Sequence, residues 1–224
     1  MVIDIQELKS SRVKVYGAII GNITSYFIED KEIYKFKIKS ERKTGKYDII
    51  NVHLPKNIAD DINLICQQTA IGITGELRTH FNDENDMSEV IVFAEEISPH
   101  QIQNTQNTVN LIGTICTNPY IKQTYKGKTI AIFEVEIIDY TNDIRCKIPI
   151  VGFNKIVDMI DILKPKTPVE IQGRLESRVI FTENKIDREL KRIVSHDVAT
   201  SIILKILDTN EKLIQLDKPK SLYA

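Results

Sequence analysis

Six basic residues crowd one short stretch of the chain: Lys35, Lys37, Lys39, Arg42, Lys43 and Lys46. In the run Tyr34-Lys35-Phe36-Lys37-Ile38-Lys39 the lysines alternate with Phe36 and Ile38. Successive side chains of an extended strand point to opposite faces, so this spacing predicts a lysine ladder on one face and core contacts on the other. Further cations come later: Lys122, Lys126 and Lys128 close together, Arg145 and Lys147 two apart, Arg174 and Arg178 four apart. Flat rings stand near these groups at Tyr47, Tyr120, Tyr125 and Phe153. Cationic side chains along a groove release counterions from a phosphate backbone, and rings stack on bases at about 1–3 kcal/mol each. Neither contact requires a particular base. The chemistry open to these residue types is sequence-tolerant capture of an unpaired polynucleotide. The plainer reading of the lysine ladder is a solvated strand face that blocks edge pairing. The plainer reading of Phe153 is a ring packed as a staple beside a helix.

Other chemistry finds little support. There is no phosphate-binding glycine loop, no His-Glu-x-x-His pair and no nucleophile elbow. His53, His80, His100 and His196 are scattered, without ligand spacing. His53 and Tyr47 read as half-exposed strand residues. His196 and Asp197 are adjacent, so on a strand they point apart. Asp83, Glu84 and Asp86 lack the calcium-loop pattern and would repel a polyanion. Cys66, Cys116 and Cys146 are odd in number and widely spaced, which predicts buried thiols rather than a disulfide framework or zinc site. No catalytic residue, cofactor or metal is expected.

The elements that hold these residues emerge from an internal repeat. Gly17-Ala18-Ile19-Ile20-Gly21-Asn22 returns as Gly113-Thr114-Ile115-Cys116-Thr117-Asn118, 96 positions later. Ile33 and Phe36 return as Ile130 and Phe133, at offset 97, and Ile71 to Leu77 returns as Val169 to Leu175, at offset 98. A period this long is one small domain duplicated. Within each copy a period of two marks strands: Val13 to Ile19, Ile33 to Lys39 and Asp48 to Leu54, then Val109 to Ile115, Ile130 to Ile138 and Asp143 to Val151. Ile58, Ile62 and Ile65 then give one apolar helical stripe, matched by Ile156, Ile160 and Leu163. A fourth strand follows, Ala70 to Thr79 and Pro168 to Arg178, with Gly75 and Gly173 placed for a bulge or barrel corner. Fifth strands are expected at Glu89 to Ile97 and near Lys191 to Ile206. At Lys37 and its neighbour the second copy has Glu134 and Glu136, so its loops and third strand are expected to carry its cationic contacts.

This order predicts an all-β chain of two tandem OB-fold barrels, five strands each, with one short helix between strands three and four. Residues 1–100 form the first domain, 107–208 the second and 209–224 a tail, with the polar segment Ser98 to Asn107 as linker. With 42% hydrophobic and 27% charged residues among 224, the composition is that of a globular chain. The net charge is −1, but it is uneven: 12 basic and 16 acidic residues up to position 104, 18 and 15 after it. Local patches must therefore carry any affinity for nucleic acid. No membrane span or signal peptide is read, and a cytoplasmic location is expected.

The second copy resembles a known family. Ile115-Cys116-Thr117-Asn118-Pro119, Thr124, Gly127-Lys128-Thr129-Ile130-Ala131, Ile148-Pro149-Ile150-Val151-Gly152-Phe153 and Ile171-Gln172-Gly173-Arg174-Leu175 look like the bacterial single-stranded DNA-binding proteins, most like their two-OB version from clostridia and related Firmicutes. The resemblance implies single-stranded DNA as ligand, a role in replication, recombination or repair, no catalysis, and a homo-oligomer in which a dimer presents four barrels. It marks Phe153 as the family's aromatic before the helix, where Trp is usual; this chain has no Trp. The family's acidic recruitment tail ending in Pro-Phe has no match here, so docking of replication or repair proteins through it is not implied. The competing reading is an OB-fold assembly module with weak or no DNA binding.

Overall fold

The structure is a computed structural model that describes residues 11–58, 70–82, 87–99, 107–124, 126–139, 144–182, 185–194, 205–207 and 213–214. It is all-β. The strands are β1 (Ser11–Ile28), β2 (Lys31–Glu41), β3 (Tyr47–Pro55), β4 (Ile71–Asn82), β5 (Met87–Pro99), β6 (Asn107–Ile115), β7 (Tyr120–Gln123), β8 (Thr129–Asp139), β9 (Ile144–Phe153), β10 (Pro168–Thr182), β11 (Lys185–Val194), β12 (Lys205–Leu207) and β13 (Leu213–Ile214). Alternation of apolar residues places most of these strands correctly. The fifth strand of the second copy is β11, which starts earlier than the sequence suggests.

β1 pairs with β2, β2 with β3, β3 in parallel with β5, β5 with β4, and β4 back with β1. That circuit is the five-stranded OB-type barrel. Its core takes the inward side of each strand: Val13 and Val15, Phe36 and Ile38, Val52 and Leu54 are all buried. β6, β8, β9, β11 and β10 repeat the circuit of pairings as a second ring. Two irregularities shape the first barrel. Between Ile20 and Thr24 the register of β1 slips against β2, with Gly21 at φ 72°, a left-handed conformation that glycine adopts without strain. At Gly75 the register of β4 slips against β5, and a side chain there would strike the Phe93 carbonyl oxygen. The expected bulge at Gly75 is present.

The helix expected at Ile58, Ile62 and Ile65 falls largely on residues 59–69, outside the described residues; a 3-10 turn, Lys56–Ile58, leads into them. In the second copy the helix is a single turn, Lys155–Asp158, continued by turns rather than further helix. Its stripe does what the spacing predicts, because Ile156 and Leu163 are each 1% exposed. Cys146 is buried and Cys116 half-buried; Cys66 lies outside the described residues.

The two rings join edge to edge. β1 pairs antiparallel with β6 from Ser11↔Leu111 to Val15↔Asn107, centred on Val13↔Val109. At the offset of 96, Ser11 corresponds to Asn107 and Val15 to Leu111. The pairing therefore maps onto itself when the rings are exchanged, as an isologous contact does. Flanking contacts obey the same exchange at offset 98. The Thr79 N–H donates to Cys146 Sγ at 3.2 Å, and the Ser177 N–H donates to Asp48 Oδ1 at 2.9 Å. One such contact is a thiol in an apolar setting. The other is a carboxylate with a 1% exposed side chain, held by Arg42 and by Arg174 at 3.1 Å.

Candidate nucleic-acid interface

Register decides which side chains share the outer face of the first barrel. Lys35 lies opposite His53, Lys37 opposite Asn51 and Lys39 opposite Ile49, so all six point away from Phe36, Val52 and the core. Successive lysines on one face stand roughly 6.6–6.8 Å apart. Lys37 is exposed, while Lys35 and Lys39 are partly covered. Lys39 Nζ sits 4.6 Å from the Tyr47 ring centroid, a cation–π contact that also holds the 54% exposed Tyr47 ring at the end of the ladder. The β2–β3 turn beyond it exposes Lys43 and Lys46 around Gly45, whose φ is 75°.

Two hairpin arms flank this face. Past its bulge, β1 brings Tyr26 opposite Ile33, on the side of Lys35. β4 brings Glu76, Arg78 and His80, because Glu76 pairs with Phe93 and Phe93 lies beside His53. The arms meet over His53. Tyr26 Oη and His53 Nδ1 share a hydrogen bond of 2.8 Å. The His53 and His80 ring centroids lie 4.7 Å apart, and those of Tyr26 and His80 5.4 Å. Burial raises the Tyr26 phenol above its usual value, partly offset by nearby Arg78. Arg78 stacks on Phe93 at 3.7 Å and is paired with Glu76. His53, expected to be half-exposed, is 0% exposed because Tyr26 and His80 cover it. The spacing of the histidines in sequence could not announce this cluster, since a bulge and two hairpins assemble it.

Arg42 and Arg174 lie apart from the ladder. Both guanidinium groups converge on Asp48 at the junction of the rings, with Glu176 beside them at 3.6 and 2.8 Å. The Asp48 hydrogen bond lifts Arg42 above its ordinary pKa. Burial, with Arg42 alongside, draws Arg174 below its own despite Asp48 and Glu176.

The second ring offers a different outer face. Tyr120 and Lys122, expected on a loop, belong to β7, which pairs with β8; Tyr120 is 55% exposed. Lys126 and Lys128 are exposed in the following turn, and Tyr125 lies outside the described residues. Ile132, Glu134 and Glu136 of β8 face Val151, Pro149 and Lys147 of β9. Arg145 and Lys147 are exposed, but Arg145 Nη1 is 4.0 Å from Glu136 and Lys147 lies opposite the same glutamate. Phe153 ends β9 opposite Ile130, half-buried, ahead of Asn154 at φ 42°. Arg178 lies on β10 opposite Leu190 of β11. Among the described residues no helix is long and apolar enough to cross a membrane, and no group of three His, Cys, Asp or Glu could hold a metal ion.

Comparison with known proteins adds to this geometry. A deletion variant of the single-stranded DNA binding protein from Thermus aquaticus is similar in structure with a TM-score of 0.65 at 17% identity, over 83% of this chain and 91% of that one. The wild-type Thermus aquaticus protein gives a TM-score of 0.64 at 17% identity, over 83% and 89%. At that identity the likeness is one of fold. A Plasmodium falciparum SSB in complex with ssDNA aligns at 25% identity over 48% of this chain and all of its own, with a TM-score of 0.41. No curated protein sequence matches the chain. The family likeness in sequence falls on the second ring: residues 106–201 match the Single-strand binding protein family.

Proposed function

We propose that this protein binds single-stranded DNA without base preference and without catalysis, and that the outer face of the first barrel is its principal track. The family match of residues 106–201 supports the ligand. The observation that carries the track is the shared register of Lys35, Lys37 and Lys39 on a face flanked by two hairpin arms. Strands two and three with the adjoining loops are where OB barrels take oligonucleotides. Tyr47, Lys43 and Lys46 extend this track past the hairpin. Lys122, Lys126, Lys128, Arg145 and Lys147 give the second ring a lesser, marginal contribution, with Phe153 as its ring. We take residues 1–100 and 107–208 as the two functional domains, in a cytoplasmic two-OB protein of the clostridial type acting as a homodimer in replication or repair.

The test is titration of a fluorescent dT oligonucleotide at two salt concentrations. Binding that weakens steeply with salt and is poorly competed by duplex is expected. No binding at low salt would overturn the reading in favour of an assembly module.

A further inference from the structure

We propose that Tyr26 and His80 form a base-stacking platform at one end of the lysine ladder, with His53 as the positioning residue beneath them. The inference rests on the single-strand reading above and names the part of the first barrel that receives a base. Neither the cationic motif nor the family match, which begins at residue 106, points to these side chains.

Three elements contribute one ring each: β1 beyond its bulge, β3 and β4. His53 is fully buried, whereas Tyr26 and His80 keep part of their surface in solvent. The bond from Tyr26 Oη to His53 Nδ1 fixes the phenol, and the T-shaped contact of the two imidazoles, at an interplanar angle of 70°, fixes His80. A ring held in one orientation before binding loses little freedom when a base covers it. Lys35 stands directly across from His53 on the same face, so a phosphate next to the stacked base meets a cation. Among the described residues of the second ring this trio has no counterpart: Lys122 stands at the position of Tyr26 and Val151 at that of His53. This platform is thus particular to the first barrel.

The chain has eight tyrosines and no tryptophan, so tyrosine emission is directly observable. The experiment titrates the full chain with a dT oligonucleotide at low salt, following both oligonucleotide anisotropy and tyrosine quenching. Tyr26→Phe keeps the ring but, like His53→Leu, loses the bond to Nδ1; affinity is expected to fall about threefold, with part of the quenching lost. His80→Ala and Tyr26→Ala are each expected to weaken binding about tenfold, the size of one stacked base. His53→Leu removes the Tyr26 hydrogen bond but not the packing volume, and is expected to weaken binding about threefold. Quenching by Tyr26→Phe equal to wild type, or His80→Ala binding as wild type does at an unchanged melting temperature, would overturn the platform while leaving the single-strand reading intact. Wild-type protein that fails to bind the oligonucleotide would overturn both.

Discussion

On the first barrel the outer face of β2 carries Lys35, Lys37 and Lys39, and at the corresponding places on β8 stand Ile132, Glu134 and Glu136. The neighbouring strand continues the contrast: His53 and Asn51 on β3 become Val151 and Pro149 on β9. On β4 and β10 the ion pair is inverted, since Glu76 and Arg78 correspond to Arg174 and Glu176. The inward sides do not diverge in this way. Phe36 matches Phe133, and Val52 matches Ile150. A core accepts only residues that fill the same space, whereas an outer face is free to change charge. The duplication therefore preserves the scaffold twice and builds a lysine-lined face once. The half that resembles the family in sequence is the half whose equivalent face is charge-balanced.

The junction between the rings repeats the lesson with the largest expected energy. Its two exchange-related contacts both use a backbone N–H and differ in the acceptor: Asp48 accepts from Ser177, and Cys146 accepts from Thr79. Asp48→Ala leaves Arg42 and Arg174 facing each other with Glu176 as their remaining anion. Removing one partner of a buried pair costs about 3–5 kcal/mol; with Glu176 left in place the lower end, about 3 kcal/mol, is expected, roughly a 10 °C fall in melting temperature. Cys146→Ala deletes a thiol acceptor and is expected to cost about 1 kcal/mol. Equal losses in calorimetry would mean that the carboxylate cluster does no more for the junction than the thiol.

Reversing Lys35 and Lys37 to Glu is the next test. It gives the first barrel the charge pattern of the second. Each phosphate contact on a single strand contributes about 0.7 to the slope of log affinity against log salt. The slope should fall by at least about 1.4, with affinity at low salt down about a hundredfold. An unaltered slope would remove these lysines from the track and erase the functional difference between the faces.

Much of this contrast was legible in the sequence, and the reasons are local. Alternation exposes strands, and it exposes Lys35, Lys37 and Lys39 against Glu134 and Glu136 without coordinates. What escaped it depends on distance along the chain. Arg174 meets Asp48 across 126 positions, so two cations read as phosphate contacts belong to the junction. Tyr26 reaches His53 only because β1 slips register near Gly21 and runs on as a long arm, and a bulge of that kind breaks the period that reveals strands. Burial of His53 followed from neither its type nor its position. Phe153 was set above the other rings by resemblance alone.

Phe153 provides a smaller and sharper comparison. Its place in the first barrel is taken by Pro55, opposite Ile33 as Phe153 is opposite Ile130. A half-buried ring there has two uses, stacking on a base or covering the helical turn at Lys155–Asp158. If the second ring contributes only at its margin, Phe153→Ala should reduce affinity about threefold or less while lowering stability by about 1–2 kcal/mol. A tenfold loss of affinity at unchanged stability would instead assign a full stacked base to the second ring.

The finest test runs the charge comparison in reverse. Glu136 faces both Arg145 and Lys147, and so neutralises the two exposed cations of β9. Glu136→Gln removes that competition without adding a charge of its own. Exposed pairs of this kind are worth up to about 1 kcal/mol, so a gain in affinity of about two- to fivefold at low salt is expected, vanishing at high salt. A gain of that size would show that the second ring lies along the path of the strand and is held back only by its glutamates. No gain would mean that the strand does not pass over β9, and that the family-like half serves the first barrel by holding it through β1 and β6.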